Sequence, residues 1–378
     1  MIFLKKIVFW IITTFSIVML CGCSNTVAIE SLGIVIGFGY DIEKESDVKY
    51  LNVIEFLTIK KIDEIESNYF VGKGDTIFEA EEDYTTKQVK EFGYGSELIY
   101  LISEERAKYD IDNVALGLIR YATDNVNAKI VIVKGKCEDY FSLEPLSGTM
   151  SEQLTEMLTH AYKGNFYSKS YTVKDFLFMY YQQGREVYLP YIEIEEGQPV
   201  FTGAAIFRKN KMLRKISIED TKLINILRNS DGNGVISITT EDPLKYIDYD
   251  DESKIKVKVS IENDQLIYNI SVNVKGKLRN DTIYNQEITK EHIKKLEKQL
   301  NKKLTNDLNN IIRKVQKEYR VDCLDLTKYA LAKFGRDSGY DSNKYFLNAD
   351  IRVSVNAKIY ENGRIYRSNI ETSDENQK

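Results

Sequence analysis

The sequence predicts a multi-domain α+β protein, three mixed α/β blocks of which the last is an antiparallel sheet covered by one long helix. Three observations carry this expectation. A chain of 378 residues is too long for one small hydrophobic core. Strand-like and helix-period segments alternate through its first half. Towards the C-terminus, two strictly alternating runs precede one long helical stripe, and alternation returns after it.

Taken in order, Ser31–Asp41 is a short apolar run closed by Gly37 and Gly39, and Leu51–Thr58 is rich in β-formers, so strand, turn and strand are expected. Asp75–Tyr84, with Thr76 as a start signal, and Gln88–Glu91 read as helical. Leu98–Ile102 reads as a strand, Ile111–Tyr121 as a helix, and Ala128–Val133 as a β-rich run of the kind that sits inside a sheet. Helical spacing returns at Ser151–Ala161 and Val173–Tyr181, which completes an N-terminal α/β domain over 23–195. A middle domain over 196–250 is expected from Val200–Phe207 and Met212–Ile216 around an Asn210-Lys211 turn, a short helix Asp220–Arg228 and a strand Gly234–Thr240. Its acidic end, Asp248, Asp250, Asp251 and Glu252, reads as a surface turn or a boundary.

The C-terminal domain, 251–371, is the most legible. Ile255, Val257, Val259 and Ile261 alternate, and Leu266–Val274 alternates again after Asn263-Asp264, as in an antiparallel pair with one buried face. Ile293, Leu296, Leu300, Leu304, Leu308, Ile311, Ile312 and Val315 then step by threes and fours along one face of a helix that Thr289 would cap. A shorter helix follows from Leu326 to Phe334. Ile351, Val353, Val355, Ala357 and Ile359 alternate towards Asn362-Gly363, a hairpin signal. Residues 372–378 read as a solvated tail.

Composition narrows the function more by exclusion than by indication. Lys+Arg number 52 against 57 Asp+Glu, for a net charge of −5. That balance lacks the clustered cations that nucleic-acid binding needs. Four Cys and two His are too few and scattered for a disulfide framework or a His-rich metal site. Cys137 and Cys323 read as buried single thiols, although a pairing between them stays open.

Residues 1–22 read as a lipoprotein signal peptide. Lys5 and Lys6 form a basic start, and the apolar run Ile7–Leu20 is shorter than the ~20 residues a spanning helix needs. Leu20-Cys21-Gly22-Cys23 resembles a bacterial lipobox, which implies cleavage after Gly22 and a diacylglyceryl group on Cys23. Losing Lys5 and Lys6 takes the charge from −5 to −7. Two acyl chains anchor stably where one is marginal.

No motif calls for a catalytic residue, cofactor or metal. Gly37-Phe38-Gly39 lacks the third glycine of a dinucleotide fingerprint, Ile42 standing in its place, and glycine at a strand-ending turn is sufficient. Asn229–Thr240 has EF-hand-like spacing, but Asn229 and Thr240 replace the first Asp and the bidentate Glu, so a Gly/Asn/Asp turn accounts for it. The acidic Asp248–Glu252 stretch reads as a solvated loop rather than a cation site. His160 and His292 read as surface histidines. On the long helix, Lys294, Lys295, Lys298, Lys302 and Lys303 form a cationic face that could meet anionic lipid, while the apolar stripe reads as sheet cover.

Several segments, in order, resemble the Ger(x)C lipoproteins, the C subunits of spore germinant receptors. They are the lipobox cysteine, Ile36-Gly37-Phe38-Gly39-Tyr40-Asp41, Gly74-Asp75-Thr76-Ile77-Phe78-Glu79-Ala80, Tyr188-Leu189-Pro190-Tyr191-Ile192 with Gly203-Ala204-Ala205-Ile206-Phe207, the long helix, and Asp322-Cys323-Leu324. The resemblance departs at Asp325-Leu326-Thr327, where the family carries a glycine, and at Tyr345 or Phe346, near where it carries a Trp. It implies a non-enzymatic receptor subunit, lipid-anchored through Cys23 to the outer face of the spore inner membrane. Its implied partners are two integral-membrane subunits, A-type and B-type, in a complex that senses small nutrients. The rival expectation is a stand-alone extracytoplasmic solute-binding or hydrolytic lipoprotein.

Overall fold

The computed structural model describes residues 31–362 apart from 45–48, 62–63, 121–124, 167–170, 229–231, 243 and 284–288, together with a few isolated positions before residue 31, Ala28 among them. Most of the signal peptide, Cys23, Asn229–Asp231, the second half of the expected terminal hairpin and the tail lie outside the described residues.

Two sheets organise the chain. The first contains nine strands. β1 (Leu32–Glu43), β5 (Ile99–Ser103), β6 (Lys129–Val133) and β7 (Tyr188–Glu195) run parallel through its centre. β2 (Lys49–Lys61) and β3 (Glu64–Gly74) extend it antiparallel beyond β1, and β8 (Gln198–Arg208) and β9 (Lys211–Ser217) extend it antiparallel beyond β7. The short β4 (Glu91–Gly93) pairs with the start of β1. All five residues of β5 are buried, as are Ile130–Val133 of β6, the signature of parallel strands covered on both faces.

The covering helices start where side chains can satisfy their free amides. They are α1 (Ile77–Thr85), α2 (Glu104–Tyr109), α3 (Asp112–Arg120), α4 (Cys137–Phe141), α5 (Met150–Gly164) and α6 (Val173–Tyr181). Thr76 caps α1 and Ser103 caps α2. Thr172 and Asp175 form a capping box on α6. The buried Glu55 of β2 accepts from the Ser151 amide at 2.8 Å and the Met150 amide at 3.2 Å, capping α5 from across the fold.

The second sheet has the order β10-β11-β12-β13: β10 (Gly232–Thr239), β11 (Tyr246–Glu262), β12 (Gln265–Asp281) and β13 (Asp350–Asn362). Helix α7 (Ile218–Arg228) packs between the sheets, and α8 (Lys290–Lys314), capped by Thr289, buries Leu296, Leu300, Leu304, Leu308, Ile311 and Ile312 against the second sheet. A π turn (Val315–Tyr319), α9 (Thr327–Phe334) and α10 (Asn343–Leu347) lead to β13. One continuous core joins both sheets.

The α+β class and the helix-covered C-terminal sheet are as expected; several local features differ. β13 pairs with β12 in parallel, so this sheet is mixed. The residues between 196 and 250 form no sheet of their own: β8 and β9 complete the first sheet, β10 and the start of β11 belong to the second. Gln88–Glu91 is turn leading into β4, not helix. The edge strand β3 was not expected. Gly37 and Gly39 lie inside β1, not at its end. A Cβ on Gly37 would sit 2.8 Å from the Phe141 ring and one on Gly39 2.5 Å from the Cys137 Cβ, so glycine lets α4 and α5 press onto the strand. The acidic stretch is strand, not turn: Asp248 to Glu252 are all in β11, and Asp251 is buried.

Candidate functional site

A concentration of buried charge lies where the two sheets meet. Arg228, the last residue of α7, is buried. Its Nη1 donates to the Cys323 carbonyl at 3.0 Å, its Nη2 to the Met179 sulfur at 3.0 Å and its Nε to the Tyr171 hydroxyl at 3.3 Å, with the guanidinium 4.8 Å from the centre of the Tyr188 ring. Burial works against its charge, but the Tyr171 hydroxyl and the Asp325 carboxylate hold its pKa above the usual arginine value. A single side chain thus ties α6 and β7 of the first sheet to the segment after the long helix.

That segment is itself held by carboxylates. Asp322 accepts from the Leu326 amide at 3.2 Å and the Thr327 amide at 2.6 Å, fixing the start of α9, and burial pushes its carboxyl up. Asp325, in the left-handed region at φ 59°, pairs with Lys328 at 2.6 Å and lies 3.6 Å from Arg185 of the α6–β7 loop. Gln183 of the same loop donates to Asp341 at 3.0 Å. Beside these contacts opens a cleft of ≈ 560 Å³, lined by Asp112, Glu186, Lys209, Asp322, Asp341 and Asn343 among others. Its acids exceed its bases, so it favours cationic or hydrogen-bonding solutes over anions.

Nucleophilic chemistry is not prepared here. Cys137 and Cys323 are both free and buried. Burial, then the nearby Asp41 carboxyl, pushes the Cys137 thiol up, and burial does the same to Cys323; a raised thiol is a poor nucleophile. His160 is exposed, as expected. His292 is not a surface histidine: it is buried in the first turn of α8, with Nε2 2.8 Å from the Asp281 carboxylate. Among the described residues no cluster of His, Cys, Asp and Glu is suited to a metal ion. Lys294, Lys295, Lys298 and Lys302 lie on the exposed side of α8.

Of the junction, the sequence singled out Tyr188, Asp322-Cys323-Leu324 and Asp325, with Arg228 named only as the end of a helix. Arg228 and Arg185 carry no motif; the signal that could have found Arg228 is an arginine that closes a helix directly after the apolar Ile224, Ile226 and Leu227.

Two consecutive family models cover this architecture. One, described as the spore germination protein N-terminal domain, matches residues 25–194. The other, described as spore germination B3/GerAC like, C-terminal, matches 202–363. The chain is 25% identical over 371 residues to spore germination protein B3 of Bacillus subtilis (strain 168), covering 93% of this chain and 96% of that one. It is 20% identical over 363 residues to spore germination protein GerQC of Bacillus cereus, covering 94% and 98%. The crystal structure of the GerBC protein shares the fold at a TM-score of 0.53 and 19% identity, over 86% of this chain and 97% of that one. The class is therefore that of two-part spore germination proteins, and the chain belongs to the GerAC-like family. Among the described residues no helix is long and apolar enough to cross a membrane.

Proposed function

We propose that this chain is the lipid-anchored, non-enzymatic subunit of a nutrient germinant receptor complex. In this reading a diacylglyceryl group on Cys23 holds it to the outer face of the spore inner membrane, where it works with two integral-membrane subunits, A-type and B-type. The observation that carries the reading is the ordered match of both germination-protein models along nearly the whole chain. Two buried, unreactive thiols and a junction whose charges are used internally support a binding and coupling role rather than turnover. Anchoring confines the protein to the plane of its partners, which raises effective concentration and lets weak contacts suffice.

The test is purification of tagged protein from detergent-solubilised spore inner membrane, with mass spectrometry of partners and of the N-terminal peptide. Two polytopic subunits and a diacylated Cys23 are expected. A Cys23→Ala protein that leaves the membrane yet assembles and supports nutrient response normally would refute the anchoring mechanism. The cleft of ≈ 560 Å³ favours one second reading: a stand-alone solute-binding or hydrolytic lipoprotein, which recovery of the protein without partners and with a bound solute would support.

A further inference from the structure

We infer that the end of the first sheet at which β1 begins rests on the bilayer surface, with Ile65, Val89, Tyr94 and Val126 as its apolar contacts; the inference rests on the acylation of Cys23 proposed above. The first observation is where the chain enters the fold. Ser31 donates its amide (2.9 Å) and its hydroxyl (2.6 Å) back to the Ala28 carbonyl, and β1 starts at the next residue, Leu32. Ala28 is five Cα–Cα steps from Cys23. Fully extended, five steps reach at most about 18 Å, so this end of the sheet cannot stand far from the lipid that holds Cys23.

The second observation is what this end displays. Leu32 and Gly33 pair with Glu91 and Phe92 of β4, and the turn just before β4 presents Val89, which is 94% exposed. No other large apolar residue in the described body of the protein is so open to solvent. The turn's cations do not cover it. Lys87 Nζ is held by Asp83 at 2.8 Å and the Val71 carbonyl at 3.0 Å, and Lys90 Nζ by the Ile59 carbonyl at 3.3 Å. Ile59 belongs to the β2–β3 hairpin end, whose Ile65 is 58% exposed. On the other flank, Tyr94 follows β4. Asn125 is tied to Glu97 by two hydrogen bonds of 3.0 and 2.9 Å, which brings the exposed Val126 alongside.

Isolated exposed apolar residues are ordinary. Here they frame the point where a lipidated chain would leave the fold, and apolar side chains with flanking amines suit the headgroup boundary. Glu91 and Glu66 are also exposed here, so apolar contact, not charge, is what this surface offers.

The test uses the full acylated chain in phosphatidylcholine–phosphatidylglycerol vesicles. An environment-sensitive fluorophore is placed on Val89→Cys or on Leu146→Cys, the latter beyond the opposite ends of the parallel strands. The native thiols are buried and stay unlabelled. The Val89 label is expected to shift to the blue and to be quenched by doxyl-labelled lipid, while the Leu146 label keeps its aqueous emission. Protein that floats with vesicles but leaves both labels equally aqueous overturns the surface while leaving the anchor intact. Protein that does not float overturns both. A Val89 shift that appears only with polytopic partner subunits present assigns the patch to protein and overturns the lipid assignment.

Discussion

Asp251 supplies a sharp test of how this fold is held together. It lies in the middle of β11, buried at 2% exposure, and neither carboxyl oxygen has a hydrogen-bond partner. Its cross-strand neighbours on both sides are glycines, Gly234 and Gly276, and a Cβ on Gly276 would collide with its Oδ1. Burial, helped by the neighbouring Asp250 carboxylate, pushes its pKa from 3.8 up to about 7. An acid whose folded pKa lies above its unfolded value binds more protons in the folded state. Stability is therefore unaffected below pH ~4, falls as pH rises from there, and levels off above about 7.

The rise from 3.8 to about 7 corresponds to roughly 4 kcal/mol in total, of which roughly 3 kcal/mol falls between pH 5 and 8. The perturbation is Asp251→Asn, which keeps the shape and removes the proton equilibrium. Its amide is also buried without obvious partners, but that cost is the same at every pH. Urea unfolding of wild type and variant, both without the leader, at pH 5, 6, 7 and 8 reads the effect as a difference in slope. Asp41, whose carboxyl burial pushes up to about 6, contributes equally to both proteins and cancels. The variant is expected to gain on the wild type steadily up to pH 7 and no further. Parallel stability curves across this range would refute the buried, proton-holding Asp251.

Arg228→Met should lower stability by roughly 1–3 kcal/mol, because it leaves the buried Cys323 carbonyl and Tyr171 hydroxyl without their donor while Asp325 keeps Lys328 and Arg185; a drop in thermal midpoint checks it, and an unchanged midpoint would show that the junction does not hold the halves together. Gly39→Ala should cost roughly 1–3 kcal/mol by overpacking against Cys137, read as a lower urea midpoint. Native protein at pH 8 should react with an aromatic disulfide reagent only slowly at Cys137 and Cys323, and rapidly after denaturation; rapid native labelling would contradict the burial of both thiols.

Periodicity made the large elements legible. The Thr289 cap and the leucine ladder of α8, the alternation of β11 and β12, and the boundaries of α6 all follow from spacing that packing then uses. What spacing could not show is which partner a residue meets. Asp251 sits among acids that, taken alone, read as solvated; only the inward phase of β11, set by Ile247, Tyr249 and Ser253, turns it to the core. His292 likewise looked exposed among charged neighbours, and Asp281, its partner, ends a strand eleven residues earlier. Gly37 and Gly39 mimic a turn because glycine serves equally where a helix crosses a strand closely. Cys23, the one site residue expected from the sequence, lies outside the described residues, and the Arg228 junction depends wholly on contacts between distant segments.

The parallel pairing of β12 with β13 shows where a stronger rule was available. Alternation of Ile351, Val353, Val355 and Ala357 is the same whether the strand runs with or against its neighbour. The discriminating fact is the connection. Two strands joined by a hairpin are antiparallel, whereas parallel strands need a crossover of a dozen or more residues, usually helical. Between Asp281 and Asp350 the chain passes through α8, the π turn, α9 and α10, so a return alongside β12 in the same direction is what that connection favours. The crossover also explains why the junction sits where it does. Helix α8 itself carries the chain back: it starts beside Asp281 at the end of β12 and finishes where β13 begins, with Gln316 Nε2 donating to the Ala349 carbonyl at 2.9 Å. The segment carrying Asp322, Cys323 and Asp325 lies between that helix and β13, pressed against α6, α7 and the Arg185 loop of the first sheet. The connection that sets strand direction in one sheet thus also carries the surface on which the other sheet is docked.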